Sequence, residues 1–100
     1  MAVKVLITRE FKAGKTNEAL RLLMELRSKV TLRPGYISGQ TLIGADTPTK
    51  LVVVSTWSDR KKWEKWYADP ERKEFSKKME GLLQGPENVE IFYPGERSAD

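Results

Sequence analysis

Two periodicities alternate along this chain. From Val3 to Phe11 the residues are β-branched and mostly alternate in polarity, and Ala13-Gly14 closes the run with a turn, which predicts a first strand. Ala19, Leu22, Leu23, Leu26 and Val30 then fall at i, i+3, i+4, i+7 and i+11, one face of a helix running from about Lys15 to about Leu32, with Thr16 or Asn17 as candidate cap. Pro34-Gly35 stops it. Tyr36 to Ile43 reads as a second strand, and Gly39 within it predicts a bulge or a close backbone approach. The turn Gly44-Ala45-Asp46-Thr47-Pro48 folds the chain back into a third strand, Leu51 to Trp57.

Ser58 is a candidate cap for a short helix carrying Trp63, Trp66 and Tyr67 at i, i+3 and i+4. Asp69-Pro70 restarts the helix, with Asp69 as cap and Pro70 at the first position; Phe75, Met79, Leu82 and Leu83 supply its apolar face. Gly85-Pro86 ends it, and Val89 to Tyr93 gives a final strand. The order β-α-β-β-α-α-β is a split βαβ pattern, so the expected fold is α+β and ferredoxin-like, with a four-stranded antiparallel sheet. Residues 1–94 are expected to form one domain and residues 95–100 a poorly ordered polar tail.

In such a fold the helices cover one face of the sheet. The third strand is nonetheless apolar on both parities, Leu51 and Val53 against Val52 and Val54, and the first strand sets Val3, Val5 and Ile7 against Leu6. Each of these side chains contributes roughly 1.5–3 kcal/mol when fully buried. The expectation is therefore a homodimer, a second sheet covering the open face and burying about 1,600 Å² or more.

Composition narrows the chemistry. The chain has 100 residues, 39% of them apolar and 32% charged, which suits one globular core. It has no cysteine and no histidine, which excludes disulfides, thiolate or imidazole metal sites and a serine or cysteine nucleophile with a histidine base. No apolar run reaches signal-peptide or membrane-span length, so a soluble, cytoplasmic protein with no membrane partner is expected. The formal charge of +4 is modest, and acidic and basic residues interleave between Asp59 and Glu80 as on a solvated helix face. An RNA-recognition domain shares the element order but needs stacking aromatics where the third strand has valines, so no nucleic-acid partner is expected. Gly14-Lys15-Thr16 lacks the upstream glycine of a phosphate loop and reads as a turn.

The element order, the Pro34-Gly35-Tyr36 start of the second strand, and Val54-Ser55-Thr56-Trp57 leading into a helix resemble the antibiotic biosynthesis monooxygenase (ABM) domain family over residues 3–93. The resemblance implies a dimeric α+β barrel with a pocket in each subunit between sheet and helices. Some members oxidise polyketide quinols with O₂ and no cofactor, others degrade haem, and many have no known activity. The haem-degrading pattern uses an Asn in the first strand, a Trp nine residues after the strand-three Trp, and an axial His ten residues further. Trp66 matches the Trp, Thr8 stands where the Asn would be, and Ser76 where the His would be; a seryl hydroxyl is a poor replacement for the imidazole that holds haem iron.

The cofactor-free branch survives the missing histidine, because there the substrate's own electron-rich ring reacts with O₂ while the protein binds, desolvates and stabilises an oxyanion. On that resemblance Trp66 is the candidate catalytic donor to a phenolate or carbonyl oxygen. Thr8, Tyr67 and Ser76 are further polar candidates, Arg9 is an anion partner, and Trp57, Phe75 and Met79 are apolar wall residues, with no cofactor or metal. Core packing is the competing assignment for Trp57, Trp63 and Trp66, and a rim or ion-pair role for Arg9. Other functions remain open: a non-catalytic dimer binding a small aromatic ligand or a protein, or an isomerase, since fold does not fix reaction.

Overall fold

A computed structural model describes residues 1–95. In chain order the elements are β1 (Val3–Glu10), α1 (Thr16–Val30), β2 (Tyr36–Ile43), β3 (Lys50–Trp57), α2 (Arg60–Tyr67), α3 (Pro70–Glu80) and β4 (Asn88–Phe92). The strands pair antiparallel in the order β2-β3-β1-β4, a ferredoxin-like α+β sheet in which β1 and β3 are central. The tail expected over residues 95–100 lies, beyond Gly95, outside the described residues. Among the described residues no helix is long and apolar enough to cross a membrane.

Register explains which side chains meet. Val3, Val5, Ile7 and Arg9 of β1 stand opposite Trp57, Ser55, Val53 and Leu51 of β3, and this parity faces the helices. The alternate parity sets Leu6 against Val54 and Thr8 against Val52 on the open face, where Leu6, Val52 and Val54 are only half-buried. Both parities of the central strands are thus apolar, as the sequence pattern requires, while the helices shelter one.

Local rules set the element ends, with two corrections. Neither Thr16 nor Asn17 caps α1: the N-cap is Lys15, and no side chain accepts there. Asp59, rather than Ser58, caps α2, accepting from the Lys62 N–H at 2.9 Å, because its carboxylate reaches the first-turn donors one residue closer to the helix. Asp69 caps α3 and Pro70 occupies its first turn, as predicted. Leu82 and Leu83 follow the helix rather than end it, and Leu83 forms an isolated bridge to Phe11.

Gly39 meets the second of its two expectations, the close approach: it pairs in register with Ser55, and the bulge lies before it, at Ile37. The β2–β3 register shifts between Tyr36 and Ser38, and a Cβ on Gly39 would overlap the Tyr36 hydroxyl, so the phenol lies across the strand where only a glycine leaves room. Gly35 has φ +87° and its carbonyl accepts from the Ser58 N–H at 2.7 Å, joining the start of β2 to the start of α2.

The face under the helices divides into two clusters. One contains Phe11, Ala19, Leu23, Leu51, Met79 and Leu82; the other contains Val3, Val5, Ile7 and the three tryptophans. The second borders a cavity.

Candidate functional site

The cavity lies between the sheet and the helices. It encloses about 60 Å³, within about 560 Å³ of atom-free space when its mouth is counted. At roughly 10–15 Å³ per water by the same measure, the enclosed part holds a few waters. Alternation along β1 and β3 brings Ile7, Arg9, Val53, Ser55 and Trp57 to its floor; β2 adds Tyr36, Gly39 and Thr41. Helical spacing brings Leu26, Arg27 and Val30 from α1, Trp63 and Trp66 from α2, and Arg72 from α3.

The aromatic residues are fixed by one another. Tyr36 meets Trp57 edge to face at 5.4 Å, and Trp63 stacks on Tyr67 at 4.9 Å. Trp57 Nε1 donates to Ser55 Oγ at 3.1 Å, so that indole N–H is engaged internally. Among the described residues no protein acceptor engages the Trp66 N–H. Arg33 lies over the Trp66 ring at 5.1 Å and pairs with Asp69 at 3.3 Å and Glu71 at 2.6 Å, clamping Trp66 between the end of α1 and the start of α3.

Beside the aromatics is a buried charge group. Arg9 and Arg72 are each only 4% exposed. Both approach Glu87: Arg9 Nε stands 3.4 Å from Oε1 and Arg72 Nη2 3.7 Å from Oε2. Both contacts are ion pairs rather than hydrogen bonds, the second being too long for one, and both nitrogens are buried. Arg72 Nη1 donates to Ser76 Oγ at 3.2 Å, its guanidinium lies 4.1 Å over the Tyr67 ring, and the Tyr67 hydroxyl donates to Glu87 Oε2 at 3.1 Å. Burial pulls both guanidinium pKa values below the ordinary arginine value, against the opposing pull of Glu87. Burial, and then the Glu87 charge, push the Tyr67 phenol up.

The expected site residues are therefore partly gathered. Arg9, Trp57 and Trp66 share the cavity wall, and Tyr67 and Ser76 reach it only through Glu87 and Arg72. Thr8 is on the opposite sheet face, paired with Val52 and Asn88, because it falls on the other parity from Arg9. Phe75 is buried beneath the Lys78 ammonium, and Met79 packs in the aliphatic cluster; neither forms cavity wall. The Ser76 hydroxyl is bound to Arg72, and the chain has no imidazole or thiol, so the donor set does not fit an axially held haem iron.

Arg72 escaped the sequence reading because it belongs to a run that looked solvated. The signal was present: positions 72, 75 and 79 stand at i, i+3 and i+7, which puts this arginine on the apolar face of α3. Glu87, in the loop before β4, carried no such mark.

A family model described as antibiotic biosynthesis monooxygenase matches residues 2–78. The chain belongs to this family. Among solved structures it is similar to SnoaB of Streptomyces nogalater, described as a cofactor-independent oxygenase, at 14% identity and TM-score 0.88, covering 99% of this chain and 98% of that one. It is similar to Rv0793 of Mycobacterium tuberculosis at 20% identity and TM-score 0.84, covering 98% and 99%. A conserved protein of Methanosarcina mazei aligns at 18% identity and TM-score 0.86, covering 92% and 91%. No curated protein sequence matches. At these identities the structural likenesses establish the fold, and the ABM assignment rests on the family match.

Proposed function

We propose that this ABM protein is a cofactor-independent monooxygenase acting on a small anthrone- or quinol-type aromatic. The observation that carries the reading is the meeting of Trp66 and Arg9 in the wall of one aromatic, largely apolar cavity. In an anthrone-type reaction the ring methylene, acidified by its carbonyl, ionises to an electron-rich enolate that reacts with O₂. The carbon gives up two hydrogens and gains one oxygen to become a carbonyl, and the second oxygen leaves as water. All four electrons come from substrate carbon, so no cofactor is needed. The protein's part is to exclude water and to hold the developing oxyanion with fixed donors, which act more strongly in a low-dielectric cavity than in water. The Trp66 indole N–H, with no protein acceptor among the described residues, and the Arg9 guanidinium are donors of that kind. Oxygen-electrode measurements on an anthrone should show uptake by the wild type and none above background by Trp66→Phe; an unaffected rate removes Trp66 from the mechanism.

The same proposal includes a homodimer. Leu6, Val52 and Val54 form the centre of the open sheet face, and Leu42 and Phe92, 43% and 47% exposed, flank it on the outer strands. A second sheet burying about 1,600 Å² would shelter them. Light scattering at micromolar concentration should give twice the chain mass; a monomer overturns this part.

A second reading, a non-catalytic small-ligand binder, is favoured by the narrow enclosed volume and by the engagement of the Tyr67 hydroxyl with Glu87. Ligand uptake without oxygen consumption on any anthrone or quinol tested would select it.

A further inference from the structure

We infer that the cavity is built for a ligand with an anionic oxygen, a carboxylate or an ionised phenol on a planar apolar body, seated against Arg9 and Arg72. Among the described residues the cavity wall contains three guanidinium groups, from Arg9, Arg27 and Arg72, and no carboxylate. Glu87 contacts two of them from outside the wall and carries one negative charge against their two. Arg27 does not redress the balance, since its Nη2 donates to the neutral Thr41 hydroxyl at 3.3 Å.

Burying a charge is costly unless it is paired and hydrogen-bonded. Arg9 and Arg72 both line the cavity, while Arg9 Nε and Arg72 Nη2 lie buried against Glu87 and make no hydrogen bond there, so the single carboxylate meets these two guanidiniums imperfectly. Arginine does not escape by deprotonation in the ordinary pH range. The positive charge that Glu87 leaves unbalanced on the cavity-lining guanidiniums fits an oxyanion, which would offset it. Around that point the wall is Trp57, Trp63, Trp66 and Tyr36, surfaces suited to a flat ring. This inference rests on the cavity being a ligand site, as proposed above, but not on any oxygen chemistry.

Calorimetry at low ionic strength with matched charged and uncharged probes tests it: salicylate against salicylamide, and 4-nitrophenolate against 4-nitroanisole. Each anion should bind about tenfold or more tightly than its neutral partner, and the two pairs together tell carboxylate from phenolate preference. Arg72→Gln should erase the difference. Because that variant also leaves Glu87 short of a partner, Glu87→Gln provides the opposite test: it preserves an acceptor for Tyr67, raises the net positive charge, and should tighten anion binding several-fold. A purely structural carboxylate would not give that gain. Equal affinity of anion and neutral analogue, no binding of any probe, or weaker anion binding in Glu87→Gln overturns the inference. Anion selectivity with no oxygen uptake leaves it standing and removes only the oxygenase reading; uptake on a neutral quinol without anion preference does the reverse.

Discussion

The two halves of the layer between sheet and helices are built from the same strands and differ in kind. Around Leu51 the packing is solid and apolar, with Phe11, Ala19, Leu23, Met79 and Leu82 meeting, and Arg9 opposite Leu51 marks its border. Around Trp57 the layer is aromatic, bordered by guanidiniums and by a cavity. β1 and β3 run through both, so the division arises from which residue each strand places at successive inward positions: Phe11 and Leu51 at one end, Val3, Val5 and Trp57 at the other, with Arg9 at the junction, directly opposite Leu51. Both halves contain fully buried side chains, Phe11 and Leu51 in one and Val3, Val5 and Trp57 in the other, and only the second leaves room and charge beside its packing.

The largest expected effect tests that division with one substitution made twice. Leu51→Ala removes a fully buried side chain from close packing and should cost about 3–5 kcal/mol in chemical denaturation, transfer and void contributions together. Leu26→Ala acts on a half-buried residue that already borders the cavity and should cost about 1–2 kcal/mol, since little new void is created. Equal losses would mean that the halves are energetically alike.

Next in size is Gly39→Ala. The added methyl displaces the Tyr36 phenol, a stiff ring held edge-on against Trp57, and should cost about 1–3 kcal/mol by overpacking. Near-ultraviolet circular dichroism should change with it, because the Tyr36–Trp57 geometry changes; an unaltered spectrum would show that the cavity side yields more freely than its packing implies.

Much of this layout was readable in advance. Alternation along Val3–Phe11 and Leu51–Trp57 assigned the inward and outward faces, because a period of two leaves no freedom once one face is buried. Asp69-Pro70 marked a helix start since the aspartate accepts and the proline needs no donor. Type and spacing marked Trp57 and Trp66 as core, and the resemblance to ABM proteins nominated them for the site. Arg9 was nominated, but its companions Arg72 and Glu87 could not be, because the group joins a strand, a helix and a loop far apart in sequence, and arginine on an apolar helix face resembles its solvated neighbours in composition. Thr8 was nominated through positional likeness to other ABM proteins, which does not carry strand parity with it, and Met79 as apolar wall from the apolar face of α3, which does not say which cluster that face packs into.

Asp69→Ala comes third. It removes the α3 cap and one of two carboxylates holding Arg33 over Trp66, and should cost about 1 kcal/mol. Its distinguishing sign is local: Trp66 should become more accessible to fluorescence quenchers, while amide exchange around Leu51 slows or quickens only with global stability.

The smallest effect is a slope. The Tyr67 phenol is held above its ordinary value of 10.0, first by burial and then by Glu87. The folded protein thus keeps a proton that the unfolded chain releases. Stability from this group is fully present below about pH 10 and declines as pH rises toward the folded value, since the unfolded state then binds fewer protons than the native one. Tyr67→Phe cannot release that proton, so its denaturation midpoint should fall less between pH 9 and pH 11 than the wild type's. Other groups titrate in the same window, and only the difference between the two proteins isolates Tyr67. Leu51→Ala removes no titratable group, although Leu51 stands opposite Arg9, and should keep the wild-type slope while losing far more stability. If Leu51→Ala and Tyr67→Phe changed the slope alike, the charged and the solid halves would be one cooperative electrostatic unit, and the separation drawn from their side chains would fail.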